Sequence, residues 1–203
     1  MNYKDRTKII VSALFGVIKP LALAVMLVAV LQWSGLMSSV SFIGSWALLE
    51  SGLKNASEEV NSDEIFDFQF TIKDLQENKI PFDQYKGKVI FLNLWATWCG
   101  PCRAEMRSIQ KLYEKVDRNK IMFVMLSIDR DGDKLKVMDY LKKKEFTFPT
   151  FMPSGYLPDQ LKVPAIPTTF IISKEGKIVK KEVGTMRYDT QKFQKFLESL
   201  TND

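Results

Sequence analysis

The sequence contains no histidine and only two cysteines, Cys99 and Cys102, both inside the stretch WATWCGPC (Trp95–Cys102). Structural zinc sites take four ligands, mostly Cys and His. Two cysteines without a histidine would leave such a site to carboxylates or a second chain, so no metal is expected. No internal repeat or low-complexity tract occurs. Basic charge is present without concentration. The 29 Lys+Arg and 24 Asp+Glu leave a net +5, and residues 1–63 are balanced, so the excess falls on the rest, 24 basic against 19 acidic. Lysine-rich turns such as LKKKEF and GKIVKK read as ordinary polar faces. They lack the clustered stripe and stacking aromatics of a nucleic-acid reader, so no nucleic-acid partner is expected.

One long apolar run does occur, IIVSALFGVIKPLALAVMLVAVLQW (Ile9–Trp33). About 20 apolar residues suffice for a transmembrane helix. Either the span is Ile9–Leu31 with Lys19 near its middle, or it runs from Leu21 to about Phe42. The second avoids a charge at the bilayer centre, which costs about 2.5 kcal/mol or more. Either way Lys4, Arg6 and Lys8 precede the span, so the N-terminus is expected in the cytoplasm and the remainder outside. No small-x-small cleavage site follows, which disfavours a cleaved signal peptide, and no cysteine lies near enough for a lipoprotein anchor. Leu36–Leu49 is short and serine-rich for a second span. Phe42, Trp46, Leu49 and Leu53 fall at helical spacing, as in a helix lying at the interface. The expected organisation is a cytoplasmic end, anchor and interfacial helix over 1–49, a polar linker over 50–63, and one compact domain over 64–203.

Within that domain, DFQFTI reads as a strand. VIFLNLW (Val89–Trp95) is a near-continuous apolar run of the kind that forms a central strand covered on both faces. CRAEMRSIQKLYEKV places Met106, Ile109, Tyr113 and Val116 at helical spacing, and IMFVMLSI is a second buried strand. This β-α-β unit calls for parallel strands and a right-handed crossover. GDKLKVMDYLKKK follows as a helix with Leu135, Met138 and Leu141 on one face, then a short strand in TFPTFM. TTFIISKEGKIVKKEVG is a hairpin turning at Gly176. A last helix would put Phe193, Phe196, Leu197 and Leu200 against the core. The expected class is α/β, a mixed sheet with helices on both faces. The acids of DRDGD (Asp129–Asp133) resemble the start of a calcium loop, but Lys134 and Tyr140 stand where that loop needs Gly and Glu.

A metal clip is thus disfavoured for Cys99 and Cys102. A structural staple is equally weak, because a disulfide closing so few residues constrains little of the unfolded chain. A redox role fits better. The pair lies where a buried strand ends and a helix begins, and there free N–H groups and the helix dipole favour a thiolate at Cys99. Pro101 suits the first turn. Cys102, one turn in, would be less exposed. Cys99 is then the attacking thiol and Cys102 the resolving one.

FLNLWATWCGPCRAEM, together with KGKVIFLNLW before it and VPAIPTTFII near the end, closely resembles the thioredoxin superfamily, in particular its membrane-anchored TlpA/ResA-like branch. The likeness spans about Phe66 to Leu200. It implies a thioredoxin fold with that branch's N-terminal strand extension and central helix-strand insertion behind an N-terminal transmembrane helix. It further implies a redox-active Cys99–Cys102 disulfide, a cis Pro167 facing it, and an Ile166 backbone that pairs with an extended substrate segment. Trp98, Gly100 and Pro101 complete the expected substrate-binding surface, with Trp98 shielding one side of the disulfide and Trp95 in the core. Cytosolic thioredoxins keep a buried Asp where this chain has Asn93, which cannot titrate. The TlpA/ResA-like branch often pairs such an Asn with a Glu three residues past the second cysteine, here Glu105. A partly desolvated Glu105 could take the proton of Cys102. Arg107 stands where many relatives have proline, so the helix should run straight, with Arg103, Arg107 and Lys111 as a basic stripe.

No cofactor is implied. The Gly-Pro between the cysteines is that of reducing thioredoxins, near about −270 mV against about −120 mV for a strong oxidant. The expected activity is therefore reduction of disulfides in client proteins outside the cytoplasm, for example apocytochrome c cysteine pairs. Electrons would come from a membrane carrier of the DsbD/CcdA kind. The alternatives are a disulfide oxidant or isomerase, and a non-catalytic tethered module that binds a partner or metal.

Overall fold

The computed structural model describes residues 26 and 64–202. The expected span, interfacial helix and linker lie outside the described residues, apart from position 26. Among the described residues no helix is long and apolar enough to cross a membrane.

Ten elements follow in chain order: β1 (Thr71–Asp74), β2 (Lys79–Pro81), β3 (Val89–Trp95), α1 (Gly100–Lys115), β4 (Ile121–Ser127), α2 (Lys134–Lys144), β5 (Thr150–Pro153), β6 (Thr168–Ile172), β7 (Ile178–Val183) and α3 (Gln191–Ser199). The strands form one mixed sheet in the order β2-β1-β5-β4-β3-β6-β7. Strands β3, β4 and β5 run parallel, and β6 pairs antiparallel with β3 from Ile90↔Ile172 to Leu94↔Thr168. All seven residues of β3 are buried, as an unbroken apolar run requires of a strand with neighbours on both edges and layers on both faces.

The three α-helices described within residues 64–202 pack on one face, which corrects the expectation of helices on both. Met106, Ile109 and Leu112 of α1, Val137 and Leu141 of α2, and Phe193 and Leu197 of α3 share one apolar cluster with Phe91, Trp95 and Phe123. The cluster on the other face contains Ile90, Leu92, Leu94, Val124 and Leu126 and no residue of these helices. The reason lies in the connections. Crossovers β3–α1–β4 and β4–α2–β5 step the same way along the sheet, and right-handedness then puts both helices on one side. The opposite face is closed by the N-terminal segment, with Phe66, Phe68 and Phe70 all buried around Phe82 in a 3-10 turn. Phe70 stacks on Phe82 with ring centroids 4.4 Å apart, and Phe66 meets Phe68 edge-on at 5.2 Å.

Two local expectations also change. Of DFQFTI only Thr71 and Ile72 lie in β1; the alternating phenylalanines before them mark burial of one side, with pairing limited to an isolated bridge at Ile65. In α2 the buried residues are Val137 and Leu141, while Leu135 is 69% and Met138 37% exposed. At helical period 134, 137 and 141 form one face and 135 and 138 the next, so a triplet of the largest apolar residues chose the wrong stripe. The β6–β7 turn needs Gly176. Its φ is +81°, and a Cβ there would lie 3.1 Å from the Phe68 ring.

Two substitutions separate these layers. Phe82→Ala removes a fully buried ring from the helix-free face and should cost about 3–5 kcal/mol in urea unfolding. Leu135→Ala should stay within about 0.5 kcal/mol, because its side chain is already in water.

Candidate active site

Strand β3 ends at Trp95, and Thr97 is fixed by Asp129, which follows β4. The Thr97 N–H donates to Asp129 Oδ2 at 2.9 Å and its hydroxyl to Oδ1 at 2.6 Å. The Ser127 hydroxyl also donates to Asp129 Oδ2 at 2.7 Å, so the acids of DRDGD begin with a brace for the β3–α1 loop. Cys99 then caps α1. Its backbone is extended, Pro101 lies in the first turn, and the Cys102 N–H donates to Cys99 Sγ at 3.2 Å. A sulfur at a helix N-cap, accepting an N–H, is held where thiolate charge is stabilised.

The two cysteines form a disulfide, with Cα atoms 5.3 Å apart. Cys99 keeps 6% of its surface and Cys102 none, so a partner disulfide can reach only Cys99. The Ile166–Pro167 peptide is cis. The Ile166 carbonyl oxygen stands 3.7 Å from Cys99 Sγ, so β6 and its approach bring the second motif onto the first. Gly100 is buried and Pro101 partly so, with the Pro101 carbonyl accepting from the Thr185 hydroxyl at 3.3 Å. Trp95 is in the core, 5.8 Å from the Tyr140 ring. Trp98 is 60% exposed.

Glu105 is fully buried on the inner face of α1, although the helix around it is amphipathic. Its carboxylate is held from two sides. Asn93 Nδ2 donates to Oε1 at 2.8 Å and the Met186 N–H to Oε2 at 3.0 Å. Burial dominates and raises its pKa to about 8, while the Met186 and Asn93 donors pull the other way. Asn93 Nδ2 also donates to Thr169 Oγ1 at 2.9 Å, and the Tyr188 hydroxyl donates to the same oxygen at 2.7 Å. The Tyr188 hydroxyl is itself pushed well above its ordinary pKa, first by burial and then by the Glu105 charge. Asn93 and Thr169 meet because they are register partners across β3 and β6.

Sequence reasoning placed Cys99, Cys102, Glu105, Ile166 and Pro167 here. It missed Thr169, Thr185, Met186 and Tyr188, whose contributions are set by strand register and by a loop that lies 80 or more residues along the chain from the α1 residues it bonds. It also read Asn93 only as a missing acid, whereas Asn93 is the donor that positions one. Of the basic stripe, Arg107 is exposed, Lys111 lies 3.5 Å from Asp189, and α1 runs unbroken for 16 residues.

A dithiol at a helix start, facing a cis-proline on a sheet of this order, defines a protein of the thioredoxin-like thiol–disulfide exchange class. Comparison with known proteins agrees. The Redoxin family matches residues 61–197. Thiol-disulfide oxidoreductase ResA of Bacillus cereus is 32% identical over 133 residues, covering 65% of this chain and 75% of that protein. The crystal structure of StoA from Bacillus subtilis superposes with a TM-score of 0.50 at 26% identity, over 66% of this chain and 93% of that one. A thioredoxin family thiol:disulfide interchange protein from Chlorobium tepidum TLS gives 0.55 at 20% identity, over 70% and 99%, which supports the fold. The chain belongs to the Redoxin family, and it is a thioredoxin-like thiol–disulfide oxidoreductase with a CxxC pair at Cys99 and Cys102.

The raised pKa of Glu105 has a consequence for stability that the oxidised protein isolates, since its cysteines do not titrate. Between the unfolded value of 4.5 and the folded value of about 8, the folded state holds a proton that the unfolded state has lost. Stability therefore falls as pH rises through that window and levels off above it. Glu105→Gln, which cannot ionise, should lose this decline in urea unfolding of the oxidised form from pH 5 to 8.5. An unchanged slope would mean that Glu105 ionises normally.

Proposed function

We propose that the protein is a membrane-tethered, extracytoplasmic reductase of disulfides in client proteins, with apocytochrome c cysteine pairs as the example the family resemblance suggests. The observation that carries the chemistry is the asymmetry of the pair: Cys99 at the surface under the Ile166 carbonyl, Cys102 wholly buried on the side of Glu105.

Cys99 thiolate attacks one sulfur of the client disulfide. The client S–S bond breaks, a Cys99–client bond forms, and the departing client sulfur takes up a proton. Cys102 then loses its proton, with Glu105 as the acceptor, and attacks Cys99 Sγ. The Cys99–Cys102 bond forms as the Cys99–client bond breaks, and the second client sulfur leaves as a thiolate that takes up a proton. Two electrons pass from the pair to the client. Glu105 is suited to its part, because a buried carboxylate with a pKa near that of a thiol exchanges a proton with little penalty either way. Trp98, Gly100, Pro101 and Ile166, with cis Pro167, form the surface on which an extended client segment would lie.

The reducing direction is supported by the Gly-Pro between the cysteines. Outside the cytoplasm the surroundings favour disulfides, so a membrane electron carrier of the DsbD/CcdA kind would have to re-reduce the pair. The tether rests on the apolar run Ile9–Trp33 and the basic residues before it. The head would then lie on the outer side of the cell membrane.

Trapping tests the reading. In Cys102→Ser, clients should accumulate as mixed disulfides through Cys99, and additional Cys99→Ser should abolish them. The midpoint potential should be more negative than about −180 mV. A less negative value would instead make the protein an oxidant or isomerase, and absence of any trapped client would remove the reductase reading.

A further inference from the structure

The end of the sheet opposite the cysteines gathers three loops that are distant in sequence. Strands β3 and β4 both begin there, and the Val89 N–H donates to the Lys120 carbonyl at 3.2 Å. The β6–β7 turn closes there too, since Ile172 pairs with Ile90. The chain enters the domain at this same end. The Ile178 N–H donates to the Glu64 carbonyl at 2.9 Å and the Phe66 N–H to the Gly176 carbonyl at 2.8 Å.

These loops concentrate the basic charge. Residues 86–88, 115–120 and 174–177 hold seven Lys or Arg against two acids, Asp117 and Glu175. Glu64, Asp67 and Asp83 are acids beside them, and Glu114 directly precedes the second loop. Lys86, Lys88, Arg118, Lys120 and Lys177 are exposed. The loop after β4 at the cysteine end has the opposite balance, with Asp129, Asp131 and Asp133 against Arg130 and Lys134. An exposed apolar side chain and a cavity of mixed polarity sit among the lysines. Ile65 is 59% exposed, and an open cavity of about 490 Å³ runs between Lys86 and Lys174 over Phe66, Phe68 and Gly176, with Asp67 and Glu175 on its rim. Lys86 Nζ lies 5.6 Å above the Phe68 ring.

We propose that this end of the domain rests on a membrane surface rich in anionic phospholipid, with its lysines on the headgroup phosphates and Ile65 at the headgroup boundary. The inference builds on the tethered reading above. Sixty-three residues precede Glu64, and they join the domain at the basic end. Headgroup phosphates match the charge, and a short apolar contact ringed by lysines suits the interface. Cys99, beyond the C-terminal end of a seven-residue strand, would then be held about 23 Å or more from the lipid, facing away from it.

Lysine acetylation of the full chain on vesicles, read by mass spectrometry, tests this with internal controls. Lys88, Lys120 and Lys177 should react about threefold or more slowly on vesicles containing anionic lipid than on purely zwitterionic ones. Lys136 and Lys162 should not change. In about 1 M salt the difference should vanish. In the variant R118E/K120E/K177E, Lys88 should react alike on both lipids, with reduction of a soluble disulfide unaffected. Equal rates on the two lipids, or slowing of all lysines together, overturns the proposal. Flotation with zwitterionic vesicles in high salt reads the tether separately. A chain that floats without lipid-dependent protection keeps the tether and loses the docking. A chain that does not float yet is protected on anionic vesicles does the reverse.

Discussion

Everything at the site hangs from the place where β3 stops. The strand is buried along its whole length and paired on both edges, so it cannot shift without exposing a row of apolar side chains. Its end therefore fixes where the chain turns into α1, and that turn places Cys99 at the helix cap and Cys102 beneath it. The same rigidity sets the register with β6. That register puts Thr169 opposite Asn93, and the residues leading into β6 carry the cis Pro167 and the Ile166 carbonyl to Cys99.

The electrostatics of the site follow from one buried acid. A carboxyl inside an apolar layer resists ionisation, and Glu105 is relieved only by the Asn93 amide and one backbone N–H. Two neutral donors are too few to restore an ordinary carboxylate, and its pKa comes to lie in the range of a thiol. Tyr188 and Thr169 extend the network behind Asn93 and keep the amide oriented. The reactive sulfur on the surface side is served differently, by the helix N-terminus and the Cys102 N–H.

Much of this was legible in the residues. An unbroken apolar run followed by a cysteine pair, a proline in the first helical turn and a second proline motif before a β-rich run leave few arrangements. Where the reading failed, the failures share a cause. Leu135 and Met138 look like a core stripe, yet α2 turns Val137 and Leu141 inward. Hydrophobicity along one segment does not say which of two adjacent helical faces meets the sheet. Phe66, Phe68 and Phe70 alternate as in a strand, yet the segment joins the sheet only through an isolated bridge at Ile65 and otherwise covers a face. Alternation reports one-sided burial, and pairing needs a free edge within reach.

By itself the sequence determined the chemistry. Two cysteines at this spacing, with no histidine anywhere, leave a dithiol centre, because the alternatives lack ligands or constrain too little chain. It also determined the order of strands and helices from β3 onward, since buried runs and periodicity are local properties; the short β2 was not legible. Tertiary structure alone decided the surroundings of that chemistry. It brought Met186 and Asn93 to one carboxylate, put the three described α-helices of the domain on one face, and drew lysines from three separate turns to the end where the chain enters. Each depends on contacts between residues tens of positions apart, and those contacts are set by crossover handedness and strand register rather than by any stretch read alone.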